Sequence, residues 1–107
     1  MKLPSIISEL LLATANFDSE KYADCFSQTA VVLDEGETYS GRDAIRKWND
    51  VTNEKYSAKL EPVAYVADGD TGIMTTKVSG NFDGSPIILK YHFVFNGEKI
   101  GHLKITG

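Results

Sequence analysis

Asp34 is the residue whose setting most invites chemistry. It closes Val31-Val32-Leu33, a run of strand-forming apolar residues, and Glu35, Gly36 and Glu37 follow it. Such a carboxylate is either a solvated strand end or part of a pocket rim. In a pocket, nearby aromatic carbon would penalise its charged form and raise its pKa, which suits a general base near neutral pH. Phe26, Trp48 and Phe93 are the aromatic residues expected around it. Tyr91 stands among Leu89, Phe93 and Phe95. On its own it reads as a core tyrosine whose hydroxyl is satisfied by backbone or water. Met74, Val78 and Leu103 complete the expected walls, with Phe26, Trp48 and Phe93. Acid-base chemistry of this kind needs no metal and no cofactor, and none is expected.

The other reactive side chains read as structural. Cys25 is the lone cysteine, so no intrachain disulfide forms, and no Cys/His cluster has zinc spacing. It reads as a small core residue on a helix. His92 and His102 fall by strand parity on an outer sheet face, solvated or in a subunit interface. Glu35 and Glu37 read as loop acids. Asp68-Gly69-Asp70 lacks the following ligands of a calcium loop and reads as a hairpin turn. Tyr22, Tyr56 and Tyr65 are further candidate phenols.

Positioning these groups requires a fold. The 107 residues suit one domain, residues 1–107, and 42% apolar content is enough for a core. The net charge of −4 disfavours a nucleic-acid or anionic-membrane surface. The N-terminal segment mimics a signal peptide, but Pro4 and Glu9 interrupt its apolar run. Leu3, Ile6, Ile7, Leu10 and Leu11 share a helical face instead. A helix over about Pro4 to Asn16 is expected, within a cytoplasmic protein.

Asp18 can cap a second helix, about Ser19 to Ser27, that buries Tyr22, Ala23, Cys25 and Phe26. A strand over Thr29 to Leu33 and a short return over Glu37 to Tyr39 follow. Ser40 and Asp43 form a capping-box-like pair before a third helix with Ala44, Ile45, Trp48 and Val51 on one stripe. Beyond it, 55–67, 71–82, 87–96 and 99–106 are rich in Val, Ile, Thr, Tyr and Phe. D-G-D, D-G-S and N-G-E join them, and these are hairpin signals. Period two puts Ile87, Leu89, Tyr91, Phe93 and Phe95 on one face and Ile88, Lys90, His92, Val94 and Asn96 on the other. The expected class is α+β, with helices on one face of a mainly antiparallel sheet.

The order of these elements resembles the nuclear transport factor 2-like superfamily, and within it the SnoaL-like polyketide cyclases and ketosteroid isomerases. The segments Ala30-Val31-Val32-Leu33-Asp34-Glu35-Gly36 and Tyr39-Ser40-Gly41-Arg42-Asp43-Ala44-Ile45-Arg46-Lys47-Trp48 carry the likeness, with Tyr91 to Ile100 as a second match. The resemblance implies a cone-shaped barrel, three N-terminal helices packed on a bent, mainly antiparallel sheet (cystatin-like). It implies that Asp34 takes the place of the isomerases' proton-moving aspartate, and Tyr91 that of their protonated, oxyanion-binding aspartate. Leu10 falls where those enzymes keep an oxyanion tyrosine, and Asn49 where an aromatic support is usual. The isomerase constellation is therefore incomplete, and steroid isomerisation does not follow.

Two functions are consistent with these residues. One is a cofactor-independent proton-transfer enzyme, isomerase- or cyclase-like, holding a small apolar or aromatic molecule. The other is a non-catalytic dimeric binding or scaffold module of the same fold. In either, Ile88, His92 and Val94 are expected at a homodimer contact through the outer sheet face.

Overall fold

The segment Asp34 to Glu37 folds as a two-residue hairpin. Glu35 and Gly36 have φ of 52° and 79°, and Asp34 pairs with Glu37 across the turn. Two successive positive φ values are those of a type I′ turn, whose twist matches that of the strands it joins. The computed structural model describes residues 1–107. Helices α1 (Ser5–Ala15) and α2 (Ser19–Asp24) lead into β1 (Phe26–Asp34) and β2 (Glu37–Ser40). Helix α3 (Arg42–Tyr56) precedes β3 (Lys59–Asp68), β4 (Thr71–Ser79), β5 (Ile87–Asn96) and β6 (Lys99–Thr106). The strands form one curved sheet in the order β2-β1-β6-β5-β4-β3. Strands β3 to β6 are an antiparallel meander, and β1 lies parallel to β6. The protein is therefore α+β with a mixed sheet.

Local signals explain most boundaries. The Asp18 carboxylate accepts from the backbone N–H of Lys21 at 3.1 Å and caps α2. That helix stops at Asp24, short of the expected Ser27, because Phe26 already pairs with Ile100 of β6. The cap expected of Ser40 does not form. Ser40 belongs to β2 opposite Val31, and Gly41 takes the N-cap position at φ 84° with no side-chain cap. A backbone committed to a ladder holds its side chain away from the helix that follows. Helix α3 continues through Tyr56, past the expected start of the next strand, and ends at Ser57 in a left-handed conformation.

The core lies between the helices and one face of the sheet. Ile7 and Leu10 of α1, Phe26 and Val32 of β1, Met74 of β4, Phe93 of β5 and Ile100 and Leu103 of β6 are essentially sealed. Ile100 and Leu103 are an odd number of residues apart yet both face inward. A register shift at Gly101 reverses the alternation, as a β-bulge does. The stripe expected on α3 is rotated. Val51 is 61% exposed, while Asn49 is 5% exposed and Thr52 and Asn53 are half-buried. Counting from Ile45, positions 48, 49, 52, 53 and 56 follow the helical period and Val51 does not. No helix is long and apolar enough to cross a membrane.

Candidate functional site

A cavity of about 370 Å³ opens between the helices and the inner face of the sheet. That lies within the roughly 300–1,000 Å³ usual for small-molecule pockets. Helix α3 supplies Trp48, Asn49, Thr52, Asn53 and Tyr56. The sheet supplies Asp34, Leu60, Val78, Leu89, Tyr91 and Ile105, and α1 and α2 supply Thr14 and Tyr22. Phe82 and Asp83 of the β4–β5 connection also border it, with the Phe82 ring edge-on to Tyr56 at 5.9 Å.

Asp34 is carried to the wall because β1 ends there and its side chain lies before the turn. It is half-buried, and burial pushes its carboxyl above the usual 3.8. The charge of Glu35 pushes the same way, and the Glu35 backbone N–H pulls back. No cation offsets this. Arg42 donates to the carbonyl of Phe26 at 2.7 Å, and Arg46 pairs with Asp43 and Asp50 at 3.1 and 3.4 Å. The residues lining the cavity include three acids, Asp34, Glu35 and Asp83, and no Lys, Arg or His.

Two phenols stand in the same wall. Burial holds both Tyr22 and Tyr91 well above the usual 10.0, and the charge of Asp34 adds to each. Neither hydroxyl has a hydrogen-bond partner within the protein, and neither is among the sealed, unpartnered atoms, which are Ser27 Oγ and Thr76 Oγ1. Both therefore open onto the cavity they line. Tyr22 packs on Phe26 at 5.6 Å and on Trp48 at 6.1 Å. Trp48 is also stacked on Tyr39 at 5.4 Å. Contacts with two aromatic rings help hold the Trp48 ring in place.

A polar triangle backs the α3 wall. Ser19 Oγ donates to Asn49 Oδ1 at 2.9 Å, and Asn53 Nδ2 donates to Ser19 Oγ at 3.3 Å and to Asn49 Oδ1 at 3.1 Å. It ties the start of α2 to the middle of α3.

The structure thus gathers Asp34, Tyr91, Trp48 and Val78 around one cavity. Phe26, Met74, Phe93 and Leu103, expected as walls, do not line it. They are at most 1% exposed and form the closed layer behind. Parity identified the inward face but not how deep along each strand the opening lies. Tyr22 is a full member of the site, whereas Tyr65 is not. Leu10 is sealed in the core and offers no donor. His92 and His102 lie on the far side of the sheet, where His92 is 2.9 Å from Thr106 Oγ1. Cys25 donates to the carbonyl of Lys21 at 3.3 Å, and burial pushes its thiol up to about 11. No group of three or more His, Cys, Asp or Glu side chains is arranged to hold a metal.

The SnoaL-like domain family matches residues 7–100. A candidate polyketide cyclase of Sinorhizobium meliloti has 35% sequence identity and a TM-score of 0.93 over 97% of this chain and 95% of that one. The chain belongs to the SnoaL-like domain family. This SnoaL-like domain also superposes on a protein of ketosteroid isomerase-like fold from Catenulispora acidiphila, solved with trimethylamine. The TM-score there is 0.88 at 18% identity, over 99% of this chain and 87% of that one. An epoxide hydrolase/cyclase-like enzyme of pyran ring formation in the polyether salinomycin superposes with a TM-score of 0.78 at 18% identity. It covers 94% of this chain and 86% of its own. At 18% identity these two likenesses speak to fold. No protein of curated function matches the sequence.

Proposed function

We propose that this SnoaL-like domain binds a small apolar or aromatic molecule bearing a carbonyl group and moves a proton on it without a cofactor. The observation that carries this reading is the half-buried Asp34 in the wall of an aromatic cavity, with no cation near it and two unpaired phenols beside it. Asp34 is the base. Its carboxylate takes a proton from the carbon next to the carbonyl, the C–H electron pair becomes a C=C bond, and the carbonyl π pair moves to oxygen. Tyr91 donates a hydrogen bond to that oxyanion. Returning the proton from Asp34 to another atom isomerises the molecule. Alternatively, the enolate carbon attacks a second carbonyl and closes a ring, that carbonyl's π pair moves to its oxygen, and the oxygen takes the proton back from Asp34. Trp48 and Val78 form the walls with Leu60 and Leu89. The cyclase named for the Sinorhizobium relative fits the second outcome.

Deuterium exchange at C1 of 2-tetralone in heavy water tests the reading. The wild type should exceed buffer alone, and Asp34→Asn should fall back by roughly a hundredfold or more, as loss of a general base does. A wild type no faster than Asp34→Asn removes Asp34 as a base.

A second reading, a non-catalytic dimeric binding or scaffold module, draws on the outer sheet face. Val66, Ile73, Ile88 and Val94 are 67%, 41%, 53% and 40% exposed there. Val66, Ile73 and His92 are cross-strand neighbours in one row. A face of this kind suits a twofold contact with a second copy.

A further inference from the structure

Asn49 is an unusual residue for the inward side of α3. It is 5% exposed, and a leucine, branched alike at Cγ, would bury apolar surface there without desolvating an amide. Its acceptor capacity is fully used. An amide oxygen has two lone pairs, and Oδ1 takes Ser19 Oγ at 2.9 Å and Asn53 Nδ2 at 3.1 Å. Its donor capacity is not used at all, since Nδ2 has no hydrogen-bond partner within the protein. Nor is Nδ2 sealed off, because the only sealed, unpartnered side-chain atoms are Ser27 Oγ and Thr76 Oγ1. Asn49 lines the cavity, so its free N–H groups open there.

The triangle ties the orientation of the Asn49 amide to that of Asn53, so Asn49 does not turn over alone. Asn53 donates to both Ser19 and Asn49, and Ser19 donates onward to Asn49, so each member is held by the other two. A rotation that brought Nδ2 toward Asn53 would oppose donor to donor. Thr52 donates its hydroxyl to the Asn49 carbonyl at 3.0 Å, within the helix, and takes no part in the triangle. A buried donor without a partner is unfavourable and is satisfied only by water or by a ligand acceptor.

We infer that Asn49 is a specificity-determining residue of the cavity, donating its Nδ2 hydrogens to an acceptor oxygen of the bound molecule, with Ser19 and Asn53 as its positioning residues. The ligand class follows: an uncharged molecule with an apolar body and a carbonyl or ether oxygen directed at the middle of α3. A ligand carboxylate would also accept from Asn49, but it would meet Asp34, Glu35 and Asp83 with no cation in the lining. The inference rests on the cavity reading above and not on Asp34 acting as a base.

Two probes of matched shape test it, 2-tetralone and its hydrocarbon analogue tetralin, each titrated into ¹⁵N-labelled protein. In the wild type, 2-tetralone should move the Asn49 side-chain amide resonances downfield, and tetralin should not. Asn49→Asp keeps an oxygen for Ser19 and Asn53 but turns the free donor into an acceptor. It should weaken 2-tetralone about tenfold, the scale of one hydrogen bond turned repulsive, and leave tetralin unchanged. The comparison between probes in one variant separates this effect from any change in folding. An unmoved Asn49 amide, or equal effects of Asn49→Asp on both probes, overturns the inference. Binding without deuterium exchange would remove Asp34 as a base and leave Asn49 in place. Binding of neither probe removes the cavity reading and the role of Asn49 together.

Discussion

Asp34 acts on Tyr91 within the cavity wall: the carboxylate's charge adds to burial in holding the Tyr91 phenol above its usual range. For Asp34 itself, burial is the larger influence and favours the neutral acid. The folded protein therefore holds this proton more tightly than the unfolded chain does. The stability it contributes is fully present below the unfolded value near 3.8 and is lost as pH rises through the raised folded pKa. Asp34→Asn should thus flatten this part of the pH–stability profile and leave the protein no less stable at pH 7. Urea titrations at pH 3.5, 5 and 7 measure it. A variant that loses stability at pH 7 would show that the ionised carboxylate is favourably held.

The turn that follows Asp34 should be sensitive to backbone and indifferent to packing. Gly36 has φ of 79°, and a Cβ built there meets nothing within 4 Å. Gly36→Ala should cost about 1 kcal/mol, the scale of left-handed strain in an L-residue, and Gly36→Val should cost more. Chemical denaturation of the two variants decides it, and equal stability of both with the wild type would place Gly36 in another conformation.

Asp18 and Ser40 offer a contrast between two residues that look alike as caps. Only Asp18 accepts a backbone N–H, from Lys21. Asp18→Ala should cost about 1 kcal/mol, and Ser40→Ala, on an exposed strand end, should stay within about 0.5 kcal/mol. A larger loss at Ser40 would restore the capping role to it.

How much of this was legible depends on the range of the signal. Strands β5 and β6 run Ile87–Asn96 and Lys99–Thr106, the spans that period two and the N-G-E turn indicate, because both cues are local. The hairpin after Asp34 was legible for the same reason. Phe26 was not, since its helical spacing from Tyr22 competes with a pairing to Ile100 that lies 74 residues away. Ser40 failed likewise, through its pairing with Val31. The bulge at Gly101 leaves no mark in the alternation until both partners are known. At the site, apolar patterning found Trp48, Val78 and Tyr91 but pointed to Val51 where Asn49 turns inward. A wall that must present polar groups to a cavity breaks the rule that inward means apolar. Tyr22 was visible as a buried aromatic and a candidate phenol, and its place in the wall beside Trp48 emerges only from the packing of α2 against α3.

The outer sheet face carries the last expectation. Ile73 lies between Val66 and His92 along one cross-strand row, and Val94 and Ile88 lie on the same face of β5. Each is at least 40% exposed apart from the partly buried His92, although the opposite face of these strands is covered. Lys77 and Lys104 border these residues and Lys90 stands between Ile88 and His92, so the apolar groups have polar neighbours, as in a protein contact. A twofold pairing would set each patch on its copy. Light scattering at micromolar concentration should return about twice the 11.8 kDa chain mass. Ile73→Lys puts one charge per copy at the apolar centre, where it would lose water without gaining a partner. It should weaken the dimer at least tenfold while leaving 2-tetralone binding intact, because Ile73 points away from the cavity. A wild type that scatters as the single 11.8 kDa chain would leave this face to water and the dimer without support.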